Sequence, residues 1–158
     1  YPHFAFVHAD LYNKRYNPGG RSQAHTYTFP FTEQSFDFIF LTSVFTHLLP
    51  ADTTHYLEEI TRLLAPQGNA LLTFFLLNER QAELAAAGSN DIQFQYGEGP
   101  YRIRDMGIPE SAVAYQEGYI LEQLTMQGLV LQSPIYYGTW SGRPDGLSYQ
   151  DILVAQHV

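Results

Sequence analysis

The hydrophobic pattern is clearest between residues 38 and 77. Phe38–Leu41 is a short apolar run without polar alternation, typical of a strand covered on both faces, although a buried helical segment shows the same pattern. After Pro50, apolar residues recur on one face of a predicted helix: Tyr56, Leu57, Ile60, Leu63 and Leu64. Pro66 and Gly68 predict its end, and a second apolar run covers 70–77. Strand, helix and strand with short joints predict a right-handed crossover unit of an α/β sheet.

The remaining pattern predicts one domain over residues 1–158. Further strands are expected at residues 4–7, 129–137 and 150–158. Further helices are expected at 79–87 and within 111–127. A polar, turn-rich loop covers 11–28, and its length suggests a functional role as much as a simple surface excursion. An insertion or lid is predicted at about 78–114, containing a short strand or hairpin near residues 92–96.

Composition narrows the classes of function. The chain has 11 Phe and 12 Tyr, residues that favour strands and line small-molecule pockets. A net charge of −8 with a single lysine disfavours nucleic acid and anionic lipid as partners. The lack of cysteine excludes thiolate metal sites, and the six histidines show no ligand spacing, so no metal is expected. No apolar run approaches the ~20 residues of a membrane span and no signal-peptide pattern occurs, so a cytoplasmic protein is expected.

An ordered series of short motifs carries a family resemblance. The motifs are His8-Ala9-Asp10, FPF at 29–31, SFDFIF at 35–40, His47-Leu48 and YLEEITRLLAPQGNALLTF at 56–74. Together they resemble the second half of a class I S-adenosylmethionine-dependent methyltransferase of the small-molecule type. The spacing of the last two strands extends the match weakly to the end of the chain. The family's first strand and glycine-rich turn would precede Tyr1. The resemblance implies a three-layer, Rossmann-like α/β sheet, mostly parallel with an antiparallel last strand and truncated at its N-terminus.

The resemblance also implies positions for the cofactor. Asp10, at a strand end, would accept a hydrogen bond from the adenine amino group, and the Leu11 backbone would meet the adenine ring nitrogens. Thr42 and Ser43, after the strand that begins near residue 37, would lie beside the methionine part of S-adenosylmethionine. His47 would orient a substrate or take a proton. The alternatives are a loop-capping role for Asp10 and a purely structural role for His47.

Substrate contacts are expected from loops on the ligand side of the sheet, at 11–28, 78–114 and 138–148. The candidates are arginines and aromatic residues that suit a carboxylate or phosphate on a small molecule: Arg102, Tyr137, Trp140 and Arg143. Trp140 and Arg143 are predicted to face the same cavity as Thr42 and Ser43. The alternative for the arginines is salt bridging on an acidic protein.

The predicted function is therefore methyl transfer from S-adenosylmethionine to a small organic acceptor. The expected partner is a small-molecule substrate, without nucleic acid or membrane, and a homo-oligomer is left open beside a monomer. The alternatives are a Rossmann-type nucleotide-binding oxidoreductase and a non-catalytic module that mediates association. Without the family's first strands, residues 38–41 are expected to form an unpaired apolar edge. The 158 residues alone are then expected to bind the cofactor weakly.

Overall fold

A computed structural model of the chain describes residues 3–158. Its strands and α-helices, in chain order, are β1 (Phe36–Leu41), α1 (Pro50–Leu63), β2 (Leu64–Phe74), β3 (Leu76–Leu77), α2 (Glu79–Ala86), β4 (Tyr101–Ile103), β5 (Val113–Gln116), α3 (Glu117–Met126), β6 (Leu129–Tyr136) and β7 (Asp151–His157). Short 3₁₀ turns occupy Ala24–Thr26, Phe45–His47, Pro109–Ser111 and Thr139–Ser141. The strands form two sheets, and the larger one organises the site.

The larger sheet has the strand order β1-β2-β7-β6. Strand β1 pairs with β2 in parallel, whereas β7 runs antiparallel to both β2 and β6. Three strands therefore run one way and only the last strand of this sheet runs the other way, as predicted. The carboxyl ends of β1, β2 and β6 lie at one edge, together with the start of β7. Loops that leave this edge are the ones that can form a ligand site.

Helices α1 and α3 pack on one face of this sheet. Leu57 and Ile60 of α1 share a buried core with Leu124 of α3 and with Leu72 and Leu153 of the sheet. Strand alternation leaves the opposite side chains more exposed, because successive residues point to opposite faces. The crossover unit predicted from the sequence is thus present.

The joint between α1 and β2 differs from the prediction. Strand β2 begins at Leu64 and includes Pro66 and Gly68, with a register shift against β1 between Phe36 and Phe38. Gln67, not Gly68, adopts the left-handed conformation, with φ at 66°. Gly68 is required for space instead, since a Cβ there would lie 2.8 Å from the carbonyl oxygen of Ala65.

The predicted strand over residues 70–77 is divided between the two sheets. Strand β3 leaves the larger sheet at Phe75 and pairs with β5 in a three-stranded sheet of order β3-β5-β4. The Leu76 N–H is then free to donate to the Asp151 carboxylate, at 2.7 Å. Strand β5 was not predicted, although Val113, Ala114 and Tyr115 are fully buried. A run of three apolar residues is too short to show strand periodicity, so the sequence pattern does not distinguish it from the helix that follows.

In the predicted insertion, the short strand or hairpin expected near residues 92–96 is not formed among the described residues. Tyr96 pairs with Ile103 only through an isolated bridge beside β4. Helix α2 begins as predicted, because the Asn78 side chain accepts the N–H of Gln81 at 2.9 Å. Gly88 follows its end with φ at 72°.

The predicted strand at residues 4–7 is not formed. Phe4 and Phe6 are 68% and 85% exposed, and neither sheet of residues 3–158 has a strand over this segment. Pairing along a sheet is what makes an apolar run a strand, so the pattern alone was misleading. The expectation of an unpaired apolar edge at β1 is confirmed within the same residues, since Phe38 and Phe40 are 53% and 65% exposed on an edge strand.

Candidate functional site

The loop after β1 is fixed to the start of β7 by a small polar network. Ser43 has a φ of 58°, an uncommon value for a residue other than glycine. Its N–H donates to Thr73 Oγ1 at 2.8 Å, and its hydroxyl donates to Gln150 Oε1 at 3.1 Å. Thr73 also donates to Gln150 Oε1, at 2.7 Å. The ends of three strands thus hold Ser43 in one strained conformation at the ligand edge of the sheet.

His47 follows in the next turn and has both ring nitrogens engaged. Nδ1 lies 2.9 Å from the carbonyl oxygen of Glu110, which only accepts, so Nδ1 carries the hydrogen. Nε2 lies 3.1 Å from the hydroxyl of Tyr16, whose ring meets the imidazole edge-on with centroids 4.9 Å apart. The side chain of Asn13 donates to the His47 carbonyl at 3.0 Å. The imidazole therefore has a defined orientation and tautomer.

Asp10 is paired within its own loop. Its carboxylate accepts from Arg21 Nε at 2.6 Å and from Asn17 Nδ2 at 3.1 Å. The hydrogen bond from Arg21, followed by that from Asn17, lowers the pKa of Asp10. The Asp10 carbonyl, not its side chain, accepts the N–H groups of Arg21 and Ser22. The neighbouring Leu11 N–H donates to the Ala9 carbonyl at 2.9 Å.

These residues surround one cavity of about 620 Å³. Its lining includes Asp10, Leu11, Ser43 and His47, four of the five positions that the sequence proposed for cofactor and catalysis. Thr42 does not line it and is exposed. The lining residues that sequence reasoning missed include four on the turn-rich loop and one on α1: Tyr12, Asn13, Tyr16, Asn17 and Tyr56. The length of the 11–28 loop was the signal for the first four.

The prediction that Trp140 and Arg143 face this cavity is wrong. Trp140 is fully buried and packs on Phe75 and Phe94, with ring centroids 5.0 and 5.6 Å away. Its indole N–H donates to Asp151 Oδ2 at 2.9 Å. The buried carboxylate of Asp151 therefore accepts the indole N–H, and Trp140 is a core residue rather than a cavity residue.

Asp151 was not singled out from the sequence. It is 1% exposed, and besides Trp140 and Leu76 it accepts the N–H of Gly138 at 2.7 Å. Burial raises its pKa to about 6, although all three hydrogen bonds and Arg143 act in the opposite direction. One acidic residue at the start of a strand gives no sequence signal of this role.

Arg143 lies in a second polar cluster. Its guanidinium stacks 4.2 Å from the Tyr137 ring centroid and donates to Asn78 Oδ1 at 3.3 Å. Glu117 accepts from the Tyr137 hydroxyl at 2.9 Å and from Asn78 Nδ2 at 2.7 Å. Arg102 lines a groove of about 510 Å³ together with Asn78 and Glu117. Three of the predicted substrate residues are thus close to this cluster, away from the His47 cavity.

An apolar groove of about 450 Å³ runs beside the free edge of β1. Its walls are mostly aromatic and aliphatic: Leu11, Phe29, Phe31, Phe36, Phe38, Ile39, Phe40, Leu41, Val44, Tyr56, Ile60 and Leu63. Within residues 3–158, no helix is long and apolar enough to cross a membrane. The same residues contain no group of three His, Asp or Glu side chains arranged to hold a metal ion.

Comparison with known proteins agrees with this geometry. Residues 8–72 match the family described as a methyltransferase domain. Among solved structures, an S-adenosylmethionine-dependent methyltransferase from Methanosarcina mazei is 18% identical, with a TM-score of 0.54, over 89% of this chain and 69% of the other. Human N-acetylserotonin methyltransferase, solved with S-adenosylmethionine, is 16% identical, with a TM-score of 0.53, over 86% of this chain and 32% of the other.

A third similar structure is the 1,6-didemethyltoxoflavin-N1-methyltransferase of Burkholderia thailandensis, solved with its substrate and S-adenosylhomocysteine. It is 16% identical, with a TM-score of 0.50, and the matched region is 87% of this chain and 49% of that enzyme. The chain therefore spans about half of this enzyme and a third of the human one. The resemblance read from the sequence agrees with both comparisons: residues 8–72 match the methyltransferase-domain family, and most of the chain shares the fold of class I methyltransferases.

Proposed function

We propose that the protein transfers a methyl group from S-adenosylmethionine to a small organic acceptor. The observation that carries the proposal is the convergence of Asp10, Leu11, Ser43 and His47 on one cavity at the ligand edge of the sheet. The family match over residues 8–72 supports the reaction class. It also favours methyl transfer over the alternative of a nucleotide-binding oxidoreductase.

The residues of the cavity suit this cofactor. The Asp10 carboxylate is an acceptor for an exocyclic amino group, and Leu11, Val44 and Tyr56 offer apolar surface to a flat ring. Arg21, which now pairs with Asp10, has a side chain that is 86% exposed. An exposed ion pair is worth little, so an incoming amino group can compete for the carboxylate. When bound, S-adenosylmethionine supplies an electrophilic methyl group on a sulfonium.

His47 is the group that we infer takes the proton of the acceptor. The Glu110 carbonyl fixes the hydrogen on Nδ1, so the lone pair of the neutral imidazole is on Nε2. Nε2 points towards the hydroxyl of Tyr16, which lines the cavity. An imidazole nitrogen with a free lone pair, held in a fixed orientation, suits a general base. Positioning of the acceptor by the cavity walls supplies the rest of the acceleration.

Substrate contacts by Arg102, Tyr137 and Arg143 remain a prediction. The cluster around Glu117 supports it, because Arg143 uses only part of its donor set on Asn78. Burial, and then the hydrogen bond to Glu117, raise the pKa of Tyr137 to about 12, so this hydroxyl stays protonated as a donor. The rival hypothesis, a non-catalytic association module, predicts that the cluster and the cavity bind no small molecule.

Calorimetry of S-adenosylhomocysteine binding tests the proposal in the full natural protein. Asp10→Ala should weaken binding about tenfold, the effect of losing one charge-assisted hydrogen bond. Asp145→Ala is the matched control, since Asp145 lies on an exposed loop outside the cavity and should not change the affinity. Unchanged affinity in Asp10→Ala, with the fold intact by circular dichroism, contradicts the assigned role. No binding to the unsubstituted protein contradicts the function itself.

A further inference from the structure

The cavity already contains one phenol hydroxyl against His47, that of Tyr16. The two groups are 3.1 Å apart, and the rings meet at 82°. The Tyr16 residue is 65% exposed, so its ring is only lightly held. The backbone around it is fixed independently, because Asn13 bonds the His47 carbonyl and Asn17 bonds both Asp10 and the Leu11 carbonyl. The ring can therefore swing away from the imidazole while the loop stays in place.

We propose that the methyl acceptor is a phenol, and that its hydroxyl replaces the Tyr16 hydroxyl on Nε2 of His47. This inference rests on the proposed methyl transfer and names its substrate class. The side chain of Tyr16 then acts as a positioning residue that occupies the acceptor position between turnovers. Leu48, which follows His47 in the chain, lines the same cavity and provides apolar surface for an aromatic ring.

The position of the hydrogen on the His47 ring favours some chemical classes of methyl acceptor over others. Because Nδ1 donates to the Glu110 carbonyl, Nε2 is the one ring nitrogen free to receive a proton. A carboxylate, a tertiary amine or a thioether brings no proton to it. A primary amine, with a pKa of about 10, is mostly protonated at neutral pH and has no free electron pair. A phenol also has a pKa of about 10 but is neutral at that pH, and it gives up its proton far more readily than an aliphatic alcohol.

The step balances without any further reactant. The phenol oxygen forms a new bond to the methyl carbon while the carbon–sulfur bond of the sulfonium breaks, and its electron pair stays on sulfur. The phenol proton moves to Nε2 and leaves His47 as an imidazolium. The products are an aryl methyl ether and S-adenosylhomocysteine, and the imidazolium then releases its proton to solvent.

Binding of 4-methylphenol and its methyl ether, 4-methylanisole, tests the proposal. The two probes share a ring, and only the phenol donates a hydrogen bond. By NMR titration of the full natural protein, we expect 4-methylphenol to bind roughly five- to tenfold more tightly, the effect of one hydrogen bond of about 1 kcal/mol. His47→Ala should abolish the preference. Equal affinities for the two probes in the unsubstituted protein would overturn the proposal.

A second variant series tests the replacement of Tyr16. Tyr16→Phe removes the competing hydroxyl and should tighten 4-methylphenol binding several-fold, whereas Tyr96→Phe, which alters an exposed tyrosine outside the cavity, should not. Tyr16 is exposed, so this substitution leaves the fold intact even if His47→Ala does not. Unchanged binding in Tyr16→Phe argues against the phenol site. S-adenosylhomocysteine binding, measured separately, distinguishes this failure from a failure of methyl transfer itself.

Discussion

At the scale of single residues, Asp151 holds together the loop between β6 and β7 and the branch point between the two sheets. Its carboxylate accepts N–H groups from Leu76, Gly138 and Trp140 at 2.7 to 2.9 Å. In Asp151→Asn, the amide nitrogen faces at least one of these donors, and a buried N–H then has no partner. We expect a loss of about 1–3 kcal/mol in the free energy of unfolding, measured by urea denaturation. Asp145→Asn, on an exposed loop, is the control and should leave the free energy unchanged.

Asp151 should also give the protein an unusual pH dependence. Burial raises its folded-state pKa from 3.8 to about 6, so the folded state binds the proton more tightly than the unfolded state. This contribution to stability is complete below about pH 4 and is lost as the pH rises through about 6. Between these values the unfolding free energy of the unsubstituted protein should fall relative to that of Asp151→Asn. A difference that stays constant over this range contradicts the raised pKa.

Glu59 should give the opposite pH dependence of stability. Its pKa is lowered, chiefly by the hydrogen bonds from Arg62, and its carboxylate also accepts the Phe29 N–H at 2.8 Å. Arg62 in turn donates to the carbonyls of Phe29 and Phe31, so the pair fastens this segment to α1. Stability from Glu59 is present above its unfolded pKa, near 4.5, and is lost as the pH falls. Glu59→Gln should flatten the acid limb of thermal unfolding below pH 4.5, while Glu58→Gln, which is exposed, should not.

At the scale of elements, the sequence predicted those strands and helices whose position follows from hydrophobic periodicity or from a capping residue. Strand β1, helix α1 and the Asn78 cap of α2 follow from an apolar run, an apolar stripe and a side-chain oxygen before a helix. Strand β5 was missed because its short apolar run merges with the helix that follows it. Residues 4–7 were predicted as a strand from hydrophobicity alone, yet strands also need a neighbour, which no local pattern reports.

The candidate site was predictable only where strand ends dictate it. Ser43 and His47 follow β1, and the structure brings them to one cavity with Asp10, although the strand predicted before Asp10 is not formed. Trp140 was misplaced because its partner, Asp151, meets it through tertiary packing rather than through sequence spacing. Tyr16 was missed because a long polar loop gives no periodicity that could orient its side chains.

The loop between β6 and β7 requires glycine at position 138. A Cβ on Gly138 would overlap the backbone carbonyl of Tyr149, in the segment that leads into β7. Gly138→Ala should therefore displace the turn that carries Trp140 and lower the melting temperature by several degrees. Gly118→Ala is the matched control: the residue lies in α3 with no atom within 4 Å of the added Cβ, so alanine should raise stability by about 0.5–1 kcal/mol. A melting temperature unchanged in Gly138→Ala shows that the turn can adapt.

At the scale of the whole molecule, the two edge strands of the larger sheet differ in how well they are protected against pairing with another chain. Strand β6 contains Pro134, which lacks an N–H and interrupts pairing at that edge. Strand β1 has no such interruption: Phe38 and Phe40 are exposed on it, and the apolar groove lies alongside. An apolar strand edge is a template for pairing with another chain. We therefore expect the isolated 158-residue chain to associate through β1 rather than through β6.

Light scattering after size-exclusion chromatography tests this expectation at several protein concentrations. The unsubstituted chain should elute as species heavier than 18.0 kDa, in proportions that rise with concentration. Phe40→Lys places a charge on the β1 edge and should shift the chain towards the monomer. Val130→Lys, at a β6 position that is 49% exposed, should not. A monomer of 18.0 kDa at all concentrations, binding S-adenosylmethionine at micromolar levels, would show that an open β1 edge neither drives association nor prevents cofactor binding.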